Sequence, residues 1–517
     1  MKDNLFVLGI LWLALGVALI AAFAEIMTSL SHNEHMYIAA SLFVLDGRML
    51  YRDFSYLQTP YLPLVYAGLF QFLGIKSYYL LTCKFFCLAS LVVSASVLYL
   101  LAKRVLQTRV LALSAVVLFL SNSIIVNAAS EVSNYALPIA LSVIGFYAFV
   151  VSIESDRLWW GGWIAGVLVA VASGVKLTYA AGIIPFLIVM TVHGTVRHQK
   201  HIDWKRRMTR MLIPFITGLV IGWIPMFFFM SDMSAFYFNN LGYHNLNTRW
   251  REMTGFIGQM SLRSKLDLIR VIAVRPDVLV VILGIIPGFC SMIRRLQPGR
   301  VSRPRVSIAE ALAIWTTLVF VPTAMMMTPS YPQYFAMPLG SLFVLMIYSL
   351  RSESFEETIL LKRLLPAMVM LVLLSRGPAM MKSIRALTDT GNWSGIYVHD
   401  VSREIRQRVD ALADSNVRKV ATLSPLYVQE SNLAIYPELA TGPFLYRVGD
   451  LLTHEERSRF AAVSPSSLDE LFAKEAPIAV LVGHEGPLDD SLIDYAVKND
   501  YRKVELKDRS RELFVKP

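Results

Sequence analysis

Residues 31–63, SHNEHMYIAASLFVLDGRMLYRDFSYLQTPYLP, gather the carboxylates Glu34, Asp46 and Asp53 with His32, His35, Arg48 and Arg52, between segments that are otherwise nearly uncharged. Carboxylates beside long apolar runs are costly unless water, a partner or a substrate holds them. Side chains of these types can take a proton from a hydroxyl and match the negative charge of a phosphate. Each acid also has a plainer use. Glu34 lies three residues after Ser31, the spacing of a capping box for a helix running to about Leu45. Asp53 beside Arg52 fits a solvated loop pair, and Asp46 before Gly47 fits helix-end turn chemistry.

The elements around this stretch are those of a membrane protein. The 517-residue chain is 55% hydrophobic and 17% charged, against about 25% charged in a soluble domain. Apolar runs able to cross roughly 30 Å of hydrocarbon fall near 4–28, 78–102, 109–126, 132–152, 159–174, 177–194, 211–230, 277–293, 308–327, 332–350 and 364–381, about eleven helices. The sequence Ala22-Phe23-Ala24 has the form of a signal cleavage site, but the run is too long for one, so it is expected to persist as the first span. The run 61–75 is shorter and reads as an interfacial helix. The run 159–194 must fold at Gly174-Val175-Lys176. Cys83, Cys87 and Cys290 lie in apolar runs, away from metal-ligand spacing. The net charge of +11 sits in short loops, as membrane orientation requires, so no nucleic-acid partner is implied.

Lysine and arginine counts set the expected topology. Loops 103–109, 195–210, 294–307 and 351–363 carry three, six, five and three of them. This makes those loops and the N-terminus cytoplasmic, and places 31–76 and 382–517 outside. The loop 231–276, also assigned outside, is basic and wants an anionic partner. From about 382 the composition becomes that of a soluble α/β domain. Asp400–Leu412 is expected to be a helix burying Val401, Ile405 and Val409, and 419–423, 478–482 and 512–515 read as strands. Ser467 and Glu470 have the spacing of a capping box. This domain shows no phosphate loop, nucleophile elbow or metal-ligand spacing, and is expected to act as a lid or docking domain.

The order of parts resembles the GT-C class of membrane glycosyltransferases, in particular the bacterial families of the aminoarabinose, galacturonosyl and mannosyl transferases and the protein O-mannosyltransferases. The resemblance lies in Asn33-Glu34-x-x-Tyr37, in Asp46-Gly47-Arg48-x-x-Tyr51-Arg52-Asp53-Phe54, in Pro60-x-x-Pro63 and in Ser330-Tyr331-Pro332-Gln333-Tyr334-Phe335-x-x-Pro338. It implies an α-helical polytopic membrane protein with a transmembrane domain over 1–381 and a small external α/β domain over 382–517. The implied activity is inverting sugar transfer from a polyprenyl-phosphate donor to an envelope glycan, lipid or protein in the inner or plasma membrane. A lipid-linked-sugar flippase and a non-catalytic polysaccharide-assembly protein are the alternatives.

Under that resemblance Asp53 is the expected base, with Glu34 orienting the acceptor or holding a divalent cation; no metal ligand set is fixed. Lys176 either pairs with the donor phosphate or snorkels. His244, Arg249 and Arg251 bind lipid phosphate or ordinary headgroups, and Gln333 and Tyr334 contact substrate. Glu131 and Asn134 follow Ala128-Ala129-Ser130, where helix capping is the first reading. The family's usual Asp-Glu pair is Asn33-Glu34 here, and two of its histidines are Gln58 and Gln333.

Overall fold

The first apolar run forms one helix, Leu5–Thr28, opened by Asn4, whose side chain accepts from the Phe6 amide at 3.0 Å. The computed structural model describes residues 4–191, 208–258, 260–296, 307–351, 355–412 and 419–517. Residues 195–207 and 297–306 of two basic loops, residues 352–354 of the loop 351–363 and the side chain of Cys290 lie outside the described residues. Among the described residues, seven helices are long and apolar enough to cross a bilayer, or eight if the bent pair Arg109–Ser121 and Ser123–Ser130 is one span. The remaining expected spans are helical but shorter: Leu177–Thr191, Pro276–Phe289 and Ala336–Ser349.

Three local features position the site. The long run 159–194 is divided at Lys176, where the helix Leu158–Val175 gives way to the 3-10 turn Leu177–Gly182 and the helix Ile183–Thr191. The bent pair turns by 55° at Asn122. There the Asn122 side chain accepts from the Ile125 amide at 3.1 Å, and Asp277 accepts from the Ser123 amide at 2.7 Å. Those bonds satisfy the amides opened by the bend and set the direction of the short helix that ends before Glu131. Finally, the helix Tyr61–Leu73 stops at Gly74, whose φ of +65° closes the end in the left-handed conformation.

Small residues hold the bundle close. The helices Leu158–Val175 and Ile213–Phe229 approach through Gly162 and Gly166 on one and Gly218 and Gly222 on the other. A Cβ at Gly166 would lie 2.1 Å from the Phe215 carbonyl oxygen, and one at Gly218 2.3 Å from that of Trp163. This is backbone-to-backbone packing of the small-xxx-small kind. Tyr61 locks onto the same pair, donating to the Gly222 carbonyl at 2.6 Å while its ring covers Gly174.

The C-terminal part carries a five-stranded sheet of order β2-β1-β3-β5-β4. Its strands are β1 (Lys419–Thr422), β2 (Ala434–Ile435), β3 (Ala479–Val482), β4 (Arg502–Glu505) and β5 (Glu512–Val515). β1 pairs in parallel with β2 and β3, with Val420 opposite Ala479, and β5 runs antiparallel to β3 and β4. β2 is two residues long and β4 is almost all polar, so neither shows the apolar pattern by which the other three are legible. The helix Ser394–Leu412 buries Val401, Ile405 and Val409 as expected. The capping box expected at Ser467 and Glu470 does not form. Ser467 instead accepts from the Ser464 amide at 2.9 Å, closing the 3-10 turn ahead of the helix Leu468–Lys474.

This part is docked on the helices by polar contacts with buried ends. Glu430 accepts from the Tyr78 and Tyr79 amides at 2.5 and 3.0 Å, supplying from outside the cap that the helix Tyr79–Leu106 lacks in its own sequence. Ser55 donates to the Phe460 carbonyl at 2.5 Å, Ser394 donates to that of Met27 at 3.0 Å, and Phe238 stacks on Phe460.

Candidate active site

A cavity of ≈ 390 Å³ is walled by five parts of the chain. Ser31, His32, Asn33 and Gln58 come from the first loop; Glu131, Asn134, Tyr135 and Lys176 from the turns between helices. Tyr243, His244, Asn247 and Arg251 come from the helix Tyr243–Thr254, and Gln333 and Tyr334 from the late loop. Phe444 and Arg447 of the C-terminal part complete it. Its size suits a small ligand.

Glu131 is the carboxylate that opens onto this space. It follows the last residue of the bent pair and accepts from the Asn33 side-chain amide at 3.2 Å. Burial pushes its carboxyl above the usual range; the Asn33 bond and the charges of Lys84 and Lys176 oppose that shift, and the charge of Glu34 adds to it. A carboxylate so raised is a better proton acceptor than a solvated one. Lys176, only 7% exposed, lines the same space. Its ammonium lies 3.5 Å from the centre of the Tyr135 ring, 5.1 Å from that of Tyr334 and 3.4 Å from the Asn134 side-chain oxygen. Ring faces and an amide hold the lysine in place, while burial lowers its pKa to about 7, so that an arriving phosphate would favour its charged form.

The two carboxylates expected to do the chemistry lie elsewhere. Glu34 is fully buried and engaged on both oxygens: one meets Lys84 at 2.5 Å and the Val132 amide at 2.8 Å, the other the Ser31 amide at 3.1 Å. Lys84 also donates to the carbonyls of Ser29 and Ser130 at 2.8 and 2.6 Å, which ties the first loop to the end of the bent pair. Asp53 accepts from Arg52 at 2.8 and 2.9 Å and from the Met49 amide at 2.7 Å, and does not line the cavity. The Arg52 guanidinium holds its carboxyl below the usual range, the opposite of what a base needs. Of the expected substrate contacts, Lys176, His244, Arg251, Gln333 and Tyr334 converge on the cavity, whereas Arg249 is exposed and outside it.

Residues 60–322, a little over half of the chain, match glycosyltransferase family 87. The chain belongs to that family. The match begins near the end of the first loop and spans Glu131, Lys176, His244 and Arg251. The crystal structure of ArnT from Cupriavidus metallidurans bound to undecaprenyl phosphate is similar over 98% of each chain, at a TM-score of 0.62 and 13% identity. No curated protein matches. A family 87 member with that architecture is a membrane glycosyltransferase of the GT-C class.

One anchoring residue and two site residues of this family 87 chain escape a reading of its sequence. Lys84 lies in an apolar run, the same anomaly that singles out Lys176, and could have been found by it. Glu131 was visible but explained as a helix cap. Arg447 carries no local signal: it reaches the cavity only because the C-terminal part docks there. It donates to Asn247 at 2.7 Å and to the Tyr243 hydroxyl at 3.2 Å and lies over the rings of Trp250 and Phe444.

Proposed function

We propose that this chain transfers a sugar from a polyprenyl-phosphate carrier to an acceptor hydroxyl, with inversion, in the 390 Å³ cavity. The observation that carries the reading is that Glu131 and Lys176, a raised carboxylate and an aromatic-lined cation, open onto one space. Glu131 accepts the proton of the acceptor hydroxyl as its oxygen attacks the anomeric carbon. The bond from that carbon to the phosphate oxygen breaks, and the carrier phosphate departs toward Lys176 and Arg251. A phosphate is a competent leaving group once its charge is matched, so one base and opposing cations suffice. Arg447, His244, Gln333 and Tyr334 are assigned to the sugar and the acceptor.

Support for a lipid carrier comes from the relative's bound undecaprenyl phosphate and from a second, apolar cavity within the helical bundle. That cavity, ≈ 50 Å³, is lined by Ile139, Val143, Tyr179, Phe320 and Met337 among others, an apolar surface with room for no more than a short stretch of an isoprenoid tail. The distribution of basic residues supports a cavity on the external face of the inner or plasma membrane, with residues 382–517 as an external domain over it. Asn33, where the families that the first loop resembles carry an acid, is consistent with catalysis, since as an amide it hydrogen-bonds Glu131 where a second carboxylate would repel it.

The decisive experiment is transfer of radiolabelled sugar from a polyprenyl-phosphate donor by the purified protein in nanodiscs. Glu131→Gln should cut transfer by about 100-fold or more while leaving donor binding intact. Full transfer by Glu131→Gln, with Asp53→Asn or Glu34→Gln inactive, would return the base to the first loop.

A further inference from the structure

Beside the cavity, at the seam between the first loop and the C-terminal part, three side chains converge that sugar transfer does not use. His32 Nδ1 lies 2.9 Å from Glu485 Oε1, and the His32 ring stacks on that of His484 at 4.2 Å. One nitrogen of each histidine and one oxygen of Glu485 all lie within 4.8 Å of one another. The turn that presents two of them is rigidly built: the amides of Gly483, His484 and Glu485 all donate to Asp489 Oδ2, at 2.9, 3.1 and 2.9 Å. Gly483, with φ of +107°, permits that backbone path.

Three imidazole nitrogens at this seam lack a partner. His484 Nε2 is buried without a hydrogen bond, and His35, fully buried and edge-on to His484 at 5.5 Å, has both ring nitrogens unpartnered. Buried polar atoms are normally satisfied, so an unpaired imidazole nitrogen facing a histidine–glutamate pair points to a missing ligand. The nearby Arg511 is already paired with Asp508 and Tyr427.

We infer that His32, His484 and Glu485 form a binding site for a divalent transition metal of the Zn²⁺ class, clamping the first loop to the C-terminal part at the cavity rim. Two imidazoles and a carboxylate are a zinc donor set, whereas Mg²⁺ and Ca²⁺ favour all-oxygen shells. Bonds of about 2.0–2.1 Å would draw the three ligand atoms to roughly 3.3 Å of one another, which ring rotation on the fixed turn can provide. A fourth position stays open for water or substrate. Because His32 also lines the cavity, metal here would link docking of the C-terminal part to the shape of the site.

The test uses the full chain, purified in nanodiscs, stripped with chelator and returned to Zn²⁺ alone in a chelator-buffered series. One Zn²⁺ per chain is expected, with a rise in melting temperature on loading and, with Co²⁺ as probe, the intense visible bands of a four-coordinate site. His484→Ala and the size-matched Glu485→Gln should each weaken binding about 100-fold or more and remove both signatures. Should His484→Ala fail to fold, Glu485→Gln decides alone. Equal Zn²⁺ binding by wild type and Glu485→Gln, or no binding by wild type at micromolar Zn²⁺, overturns the site. Metal content is read without sugar transfer, so this inference and the proposed reaction fail separately.

Discussion

Glu34 and Glu131 are both associated with a lysine and with each other's surroundings, yet the structure treats them in opposite ways. Glu34 has both oxygens taken, by Lys84 and two backbone amides, and neither it nor Lys84 has any exposed surface. Glu131 has one neutral donor, Asn33, and its lysine is held by ring faces rather than by a carboxylate. A saturated pair cannot take a proton or a phosphate without breaking structure. An open couple can do both, so burial marks a functional carboxylate only when the lone pairs are left available.

The comparison is broken most directly at Lys84. Removing one partner of a buried, hydrogen-bonded pair leaves an uncompensated charge and costs roughly 3–5 kcal/mol. Lys84→Met should therefore lower the yield of folded protein and its unfolding temperature sharply, as read by thermal denaturation in nanodiscs. Wild-type stability in Lys84→Met would mean that Glu34 is not a structural anchor.

At Glu131 the expected loss is in rate, with stability kept. Glu131→Gln retains size and the contact with Asn33 but not basicity, so transfer should fall by about 100-fold or more. The base acts deprotonated, and burial raises its pKa. The wild-type rate should therefore climb with pH through a midpoint above that of an ordinary glutamate, and the residual rate of Glu131→Gln should lack that rise. A pH profile unchanged by the substitution would remove Glu131 from the proton transfer.

Why the two couples were not separable in the sequence is a matter of which lone pairs are taken, and that depends on contacts far apart in the chain. Glu34 meets Lys84 50 residues away and the Val132 amide 98 residues away. The membrane helices, the division at Lys176 and three of the five strands were legible because apolar runs and their breaks are local. Lys176 stood out as a charge in an apolar run, whereas His244 and Arg251 were singled out by a basic loop and Gln333 and Tyr334 only by the family resemblance; that the five line one cavity is visible only in the fold. The caps supplied from outside, by Glu430 to the helix beginning at Tyr79 and by Asp277 to the bend at Asn122, have no local signature.

The cations sharpen the comparison by a smaller effect. If Lys176 and Arg251 match the carrier phosphate, Lys176→Gln and Arg251→Gln should each weaken donor binding by about 1–3 kcal/mol, the range of a charge-assisted contact. Arg249→Gln, altering an exposed arginine outside the cavity, should leave binding unchanged. Donor titration with a fluorescent polyprenyl phosphate measures all three, and equal effects at Arg249 and Arg251 would reduce both to headgroup contact.

The smallest effect is expected at Asp53, the residue that the sequence places first. Its carboxylate is held by Arg52, itself two-thirds exposed, and by the Met49 amide within its own loop. Exposed pairs of this kind contribute little to stability. Asp53→Asn keeps an oxygen for the Met49 amide and loses only the charge, so folding, donor affinity and transfer should all stay close to wild type. The contrast with Glu131→Gln is what gives the result its weight, because both replace an acid with its amide and differ only in whether the acid faces the cavity. An inactive but folded Asp53→Asn would mean that the first loop swings Asp53 into the cavity when substrate binds, and the division between saturated and open carboxylates would then hold only for the empty protein.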